Sequence, residues 1–371
     1  MLSLLFLILK RNNVTDQLFI ITLSSIFGVL NTTKIPESDL IMYIDKFTMA
    51  TQYSLLEYLS TQIKEPLFWI ITYSIANITN ANSNIYIFIL TTVSYIFILN
   101  AVKKFYDNKN KKIDKSFFVF MMFITISTPW LFGYSAHLIR QFLSFSIILF
   151  VLVNKVFYNK NSFILFLSSV LIHTSALLFL PLLYIKALRS KISLKHILII
   201  LIIYATSIFL LVPLTQEIIN TYGVNYYTYL LIRISNYEDL GLIHHSIFPR
   251  AFVIINLISL IVLYKIHIFD IKHSNYRYHF INILFIVFFF LLLNFNTDLF
   301  HRYLIFYFFT WPLIIPQFLI RTSYLNISAR FLMLMIAFTY LVYQINNGTW
   351  NYTNIQSVFQ SSFVSTMSEF N

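Results

Sequence analysis

The sequence predicts an all-α, polytopic integral membrane protein. Of its 371 residues 58% are hydrophobic and only 11% charged, against about 25% charged in an ordinary soluble domain. The apolar residues come as continuous runs, not as the alternating ~10-residue segments of an outer-membrane barrel. The lysines and arginines behind the net charge of +12 collect in short loops between those runs, which is the positive-inside pattern and not a nucleic-acid-binding surface. There is no cysteine, so disulfides, thiol catalysis and thiolate metal sites are excluded.

Taken in order, residues 1–9 are apolar and followed by Lys10 and Arg11. With no basic front and no small-residue cleavage site, they read as a short first helix or part of one, not as a signal peptide. Residues 17–30 form a first crossing, short against the ~20 residues a span needs. Residues 31–64 are polar, with the acids Glu37, Asp39, Asp45 and Glu57. Residues 66–78 are apolar but too short to cross, so an interfacial or re-entrant piece is expected. Residues 85–102 cross, and the lysines at 103–115 mark the clearest cytoplasmic loop. Residues 117–131 go out, ending at Pro129-Trp130, and 140–157 return toward Lys155 and Lys160.

Residues 163–185 are long enough to cross once, yet Lys186, Arg189, Lys191 and Lys195 follow them. Cations on both sides favour a re-entrant or broken helix hinged near His173, with His173 near mid-depth. Beyond it, 197–214 go out, 215–249 form a long external loop, 251–266 return, 280–295 go out, 303–320 return, and 331–345 lead out to an uncharged-to-acidic tail. The expectation is one membrane domain, 1–371, of about nine to eleven spans.

Polar residues stand out against this background. His137, Arg140, Gln141 and Ser144 have the spacing of one helix face. His173-Thr174-Ser175 interrupts an apolar run, and ionisable residues at membrane depth read first as functional. Arg140-Gln141 heading a hydrophobic helix, a short Lys-containing loop, and then His173-Thr174-Ser175-Ala176-Leu177 resemble the EpsG family. Asp39 with Tyr43, Glu65-Pro66 before an apolar run, and Arg302-Tyr303 opening a late helix extend the resemblance over roughly residues 17–320. One departure is the run Lys34-Ile35-Pro36-Glu37-Ser38-Asp39, where family members often carry Arg and Gly-Thr before the Asp.

The resemblance implies a Wzy-type polymerase of exopolysaccharide, capsule or O-antigen synthesis in the bacterial plasma membrane. Such a glycosyltransferase moves a growing glycan from polyprenyl pyrophosphate to a hydroxyl of a lipid-linked repeat unit. It implies the pathway's flippase and chain-length regulator as partners, and needs no cofactor or metal. The residues themselves place Asp39, Glu65, His137, Arg140, Arg233, Arg250 and Arg302 at or near the external face. Arginine's planar fork suits phosphate oxygens, and a leaving pyrophosphate needs preorganised donors. Arg140 and Arg302 are expected to hold it, with Arg250 in support, His137, Gln141 and Arg233 contacting substrate, Asp39 or Glu65 as base or acceptor ligand, and His173 bracing or lining the cleft.

Plainer roles stand beside these. Arg140 can snorkel, Arg302 can pair with Asp298, His173 can bond a carbonyl, and the two acids can be solvated loop residues. Tyr226 and Tyr227, with Tyr222 and Tyr229, offer sugar-stacking rings or an interfacial belt. His244-His245 lacks a third ligand at metal spacing. No glycine-rich phosphate loop, HExxH or GxSxG occurs. The alternative function is a lipid-linked oligosaccharide flippase or other transporter, with cations facing a central cavity open to either side. A membrane acyltransferase would pair a His with a nearby acid on one helix, and His173 has no acid neighbour in sequence.

Overall fold

The computed structural model describes residues 11–185 (except 38, 63 and 108–112), 217, 220, 221, 253–263, 284, 286, 287, 298–320 and 323–347. These residues are helical, as expected. They contain four helices long and apolar enough to cross a membrane: α1 (Asn13–Thr32), α5 (Ser83–Tyr106), α8 (Ile139–Tyr158) and most of α13 (Tyr324–Asn347). Between them lie α2 (Asp39–Met49), α3 (Leu55–Ser60), α4 (Pro66–Ile78), α6 (Lys115–Ile126), α7 (Pro129–His137), α9 (Phe163–Ile172), α10 (Leu180–Tyr184), α11 (Val253–Leu263) and α12 (Asp298–Ile314). The chain falls into two compact units, 1–180 with 308–371, and 181–307. In the second, Asn256 of α11 hydrogen-bonds Tyr307 of α12.

In the first unit α8 is central. Its apolar window is 83% buried, against 11% for α13, whose apolar face is left for lipid. Antiparallel α1 and α5 pack closely because Gly28 has no side chain: a Cβ there would stand 2.2 Å from Thr92 Oγ1. Asn31 donates to Thr91 Oγ1 (3.1 Å) and Ser135 Oγ (2.5 Å), and Gln17 to Asn100 (2.7 Å), satisfying polar groups that would be costly at depth. Aromatic pairs Tyr95–Phe142 and Phe97–Phe150 join α5 to α8.

At one end, buried Asp16 is neutralised by Arg11 (3.1 Å) and Lys103 (3.2 Å). Arg11 also reaches Asp107 and the Ile113 carbonyl. Arg330 caps the chain there. It donates to the Leu319 and Ile320 carbonyls and to Ser116 Oγ, with its guanidinium 4.8 Å from the Phe117 ring. The expected cytoplasmic lysine loop begins at this end, after Val102.

Several boundaries differ from the sequence reading. The first crossing runs from Asn13 to Thr32, a full 20 residues, because Asn12 and Thr15 form a reciprocal cap that starts the helix early. The expected crossing at 117–131 is broken into α6 and α7. Proline disfavours helical backbone at the residue before it. Thr128 is accordingly extended (φ −68°, ψ 110°), and Pro129 opens α7. His137 ends α7, and Leu138 (φ −112°, ψ 47°) separates it from α8. His137 therefore does not share a continuous helix face with Arg140, Gln141 and Ser144. The polar stretch before Pro66 contains α2 and α3 in place of open loop; Ser54 and Glu57 form the capping box of α3.

The segment 163–185 is broken at His173, as expected. Helix α9 stops at Ile172, His173 is extended (φ −153°, ψ 120°), and a 3-10 turn covers Thr174–Phe179. Straight continuation would carry Phe179 about 12 Å past His173. Its ring instead lies 5.5 Å from that of Phe145, the neighbour of Ser144, whose Oγ bonds the Ser169 carbonyl one turn before His173. The chain thus turns back on itself with His173 at the apex. By the same register His173 stands level with the first turn of α8.

Candidate active site

The site forms where the start of α8, the His173 apex and the α2–α4 segment meet. Arg140 is the second residue of α8. A cation is disfavoured there by the helix dipole, whose N-terminal end is positive. Glu65 offsets it, with Oε2 2.5 Å from Arg140 Nη1. Glu65 occupies the N-cap of α4 in a left-handed conformation (φ 66°, ψ 52°) directly before Pro66. A non-glycine residue held there costs about 1–3 kcal/mol, a kind of strain that clusters at functional sites. The result is a carboxylate directed inward, only 3% exposed.

Arg140 is enclosed on its other sides. Its Nε–H donates to the Tyr43 hydroxyl at 3.0 Å. Its guanidinium carbon lies 5.1, 5.8 and 5.5 Å from the ring centres of Tyr43, Phe68 and Trp69. Three rings around one arginine fix its plane and add cation–π attraction. Burial holds the Tyr43 phenol above its ordinary pKa, against the opposing pull of Arg140, so Tyr43 stays a neutral hydroxyl. Trp69 is anchored by its own Nε1–H on the Lys64 carbonyl (3.0 Å).

His173 faces the other carboxylate oxygen. Its Nε2 is 3.7 Å from Glu65 Oε1, and the Thr174 N–H donates to that oxygen at 3.4 Å. The Ser175 N–H donates to His173 Nδ1 at 3.3 Å, and Ser175 Oγ is 2.5 Å from it. An Nδ1 that accepts from a backbone N–H assigns the neutral ring as the Nε2–H tautomer. In that tautomer His173 presents a donor toward Glu65. Of the two partners expected for His173, a freed carbonyl or a side chain facing α8, the structure supplies the second, the Glu65 carboxylate that also holds Arg140. It also supplies the acid whose absence beside His173 in sequence weighed against an acyltransferase, so that argument no longer separates the two readings.

The remaining candidates are placed as follows. Asp39 opens α2, one turn from Tyr43, and its charge is felt there. Gln141 is buried. His137 is buried at the end of α7, within electrostatic reach of Lys34. Lys34 heads the run that departs from the family pattern; burial lowers its pKa to about 7, against the effect of Glu37. Arg302 lies in the second turn of α12, which opens at Asp298 and not at Arg302 itself, while the Arg302–Asp298 side-chain pairing lies outside the described residues. So do Arg233, Arg250, Tyr226, Tyr227 and His244-His245. Among the described residues no three His, Cys, Asp or Glu side chains gather as metal ligands. The sequence reading missed Phe68, Trp69, Lys46 and Ser175 as site residues. Trp69 had a signal, four residues after Glu65 on an apolar helix that begins with proline.

The EpsG family model matches residues 17–356, a span that contains Tyr43, Glu65, Arg140 and His173. The chain belongs to the EpsG family. EpsG is a Wzy-type polysaccharide polymerase family, so membership, and not the surroundings of His173, decides for a polysaccharide polymerase over an acyltransferase. No curated protein and no solved structure matches the chain significantly.

Proposed function

We propose that this EpsG-family protein extends a surface polysaccharide in a bacterial plasma membrane. The growing glycan leaves its polyprenyl pyrophosphate and joins a sugar hydroxyl of a lipid-linked repeat unit. The observation that carries this reading is the Arg140–Glu65–His173 cluster, built at the end of the bundle opposite the Arg11–Asp16–Lys103 cluster. By the positive-inside rule the lysine end is cytoplasmic and the cluster external.

In this reading Arg140 is stored on Glu65 until substrate arrives. The pyrophosphate, with its greater charge, takes over Arg140's donors. Glu65, relieved of its cation, then accepts the proton of the acceptor hydroxyl. The hydroxyl oxygen forms the new glycosidic bond as the sugar's bond to the pyrophosphate oxygen breaks, and the pyrophosphate leaves with that electron pair. Arg140 stabilises the departing charge, and His173 Nε2–H orients Glu65. Arg302 is the second arginine proposed for the pyrophosphate, on its family position alone.

The test uses purified protein in detergent, where transport is impossible, with lipid-linked repeat units as the only glycan. A ladder of longer lipid-linked products is expected, and Arg140→Ala should abolish it. Intact substrate that wild-type protein leaves unextended would overturn the reading.

A further inference from the structure

Lys46 lies in the last turn of α2, and it belongs to the same site. Its Nζ is 4.6 Å from the centre of the Trp69 ring, the ring that Arg140 also faces at 5.5 Å. The two cationic centres are therefore no more than about 10 Å apart, the sum of those distances. They are not equally neutralised. Arg140 has Glu65, whereas Lys46 donates to the neutral Gln62 Oε1 at 2.7 Å. The C-terminal dipole of α2 favours a cation at Lys46, but the charge of Arg140 opposes it. Burial, and then Arg140, lower the Lys46 pKa. Both cations face the Trp69 ring, and of the two only Arg140 carries a carboxylate, so an anion that joins them lowers the energy of both. Lys46 is half-buried, so its side chain is not sealed off from a ligand.

We propose that Lys46 and Arg140 together seat a lipid diphosphate beside Trp69, Arg140 taking one phosphate and Lys46 the other. The inference rests on the polymerase reading and adds to it a means of telling a diphosphate from a monophosphate. Arginine suits the phosphate nearest the breaking bond, because its fork is directional. Lysine, a compact charge on a flexible stem, suits the distal one. The diphosphate-bearing donor then gains both contacts, and a monophosphate only one.

The experiment measures binding of farnesyl diphosphate and farnesyl monophosphate to the purified full chain. Wild-type protein should bind the diphosphate about tenfold or more tightly than the monophosphate, the value of one charge-assisted contact. Lys46→Gln should lose that preference, with monophosphate affinity changed less than about twofold, and Lys46→Arg should restore it. Gln62→Glu, which gives Lys46 a carboxylate partner and leaves the lysine in place, should also weaken diphosphate binding; it serves if Lys46→Gln does not fold. A wild-type preference kept in full by both Lys46→Gln and Gln62→Glu would overturn the inference and leave the polymerase reading standing. Wild-type protein that binds neither probe would overturn the carrier assignment and this inference with it.

Discussion

Replacing both members of the Glu65–Arg140 pair separates a structural ion pair from a working one. Arg140→Ala leaves a carboxylate that is 3% exposed facing only the Thr174 N–H and His173. Stranding a buried charge costs about 3–5 kcal/mol, and the 18% exposure of Arg140 lets some water in, so the lower end applies. Glu65→Ala strands the more exposed partner, which keeps Tyr43 and three ring faces; about 1–3 kcal/mol is expected. The double variant strands no charge. Its loss should fall short of the sum of the singles by about 1–3 kcal/mol. Unfolding in detergent measures stability, and the product ladder measures activity. Stability should partly return in the double variant and polymerisation should not, because the arginine nearest the breaking bond and the carboxylate that takes the proton are both gone. Polymer synthesis that returned together with stability would show the pair to be scaffolding and refute the reasoning.

Further predictions concern the residues around this pair. Arg140→Lys keeps the charge but loses the fork and the Tyr43 hydrogen bond, so most activity should go while insertion stays normal; normal polymer at normal rate would reduce Arg140 to an anchor. His173→Ala should lower the rate about tenfold, a milder loss than Arg140→Ala, and His173→Gln, whose amide can donate from the Nε2 position, should recover part of it; equal rates for the Ala and Gln variants would exclude the donor role. Lys34 binds a proton less readily when folded than when unfolded, since its folded pKa is about 7 against an ordinary 10.5. The unfolded chain therefore holds more protons between those values, and stability should rise with pH from about 7 to 10.5. Lys34→Met should flatten that rise and stabilise the protein below pH 7, and an unchanged pH profile would contradict the shift. The cysteine-free background allows single labels: Gln52→Cys, exposed on the α2–α3 side, should react with an impermeant reagent on intact cells and Lys160→Cys should not. The reverse pattern would turn the site to the cytoplasm.

The membrane class, α4 from Pro66 to Ile78, and the break at His173 were legible because each is written locally. Apolar length sets a span, a proline opens a helix, and an imidazole inside an apolar run marks where the helix yields. Proline at 129 carried the same kind of signal for the α6–α7 break, and hydropathy, which stays high across Ser127 and Thr128, hid it. Spacing also misled at His137, because an i, i+3 pattern implies a shared face only while the helix continues, and Leu138 ends it.

What the sequence determined by itself was that Arg140 and His173 sit in apolar surroundings and therefore require partners. Which partners they found was decided only by tertiary structure. Glu65 is 75 positions from Arg140, and Thr174 lies 109 positions from the same carboxylate. No local pattern relates such residues. The pairing depends on α4 presenting a strained Glu65 inward, on Ser144 fixing the register of α9 against α8, and on the chain turning back after His173. Desolvation of a charge is a property of its own helix, but its neutralisation is a property of the packing between helices.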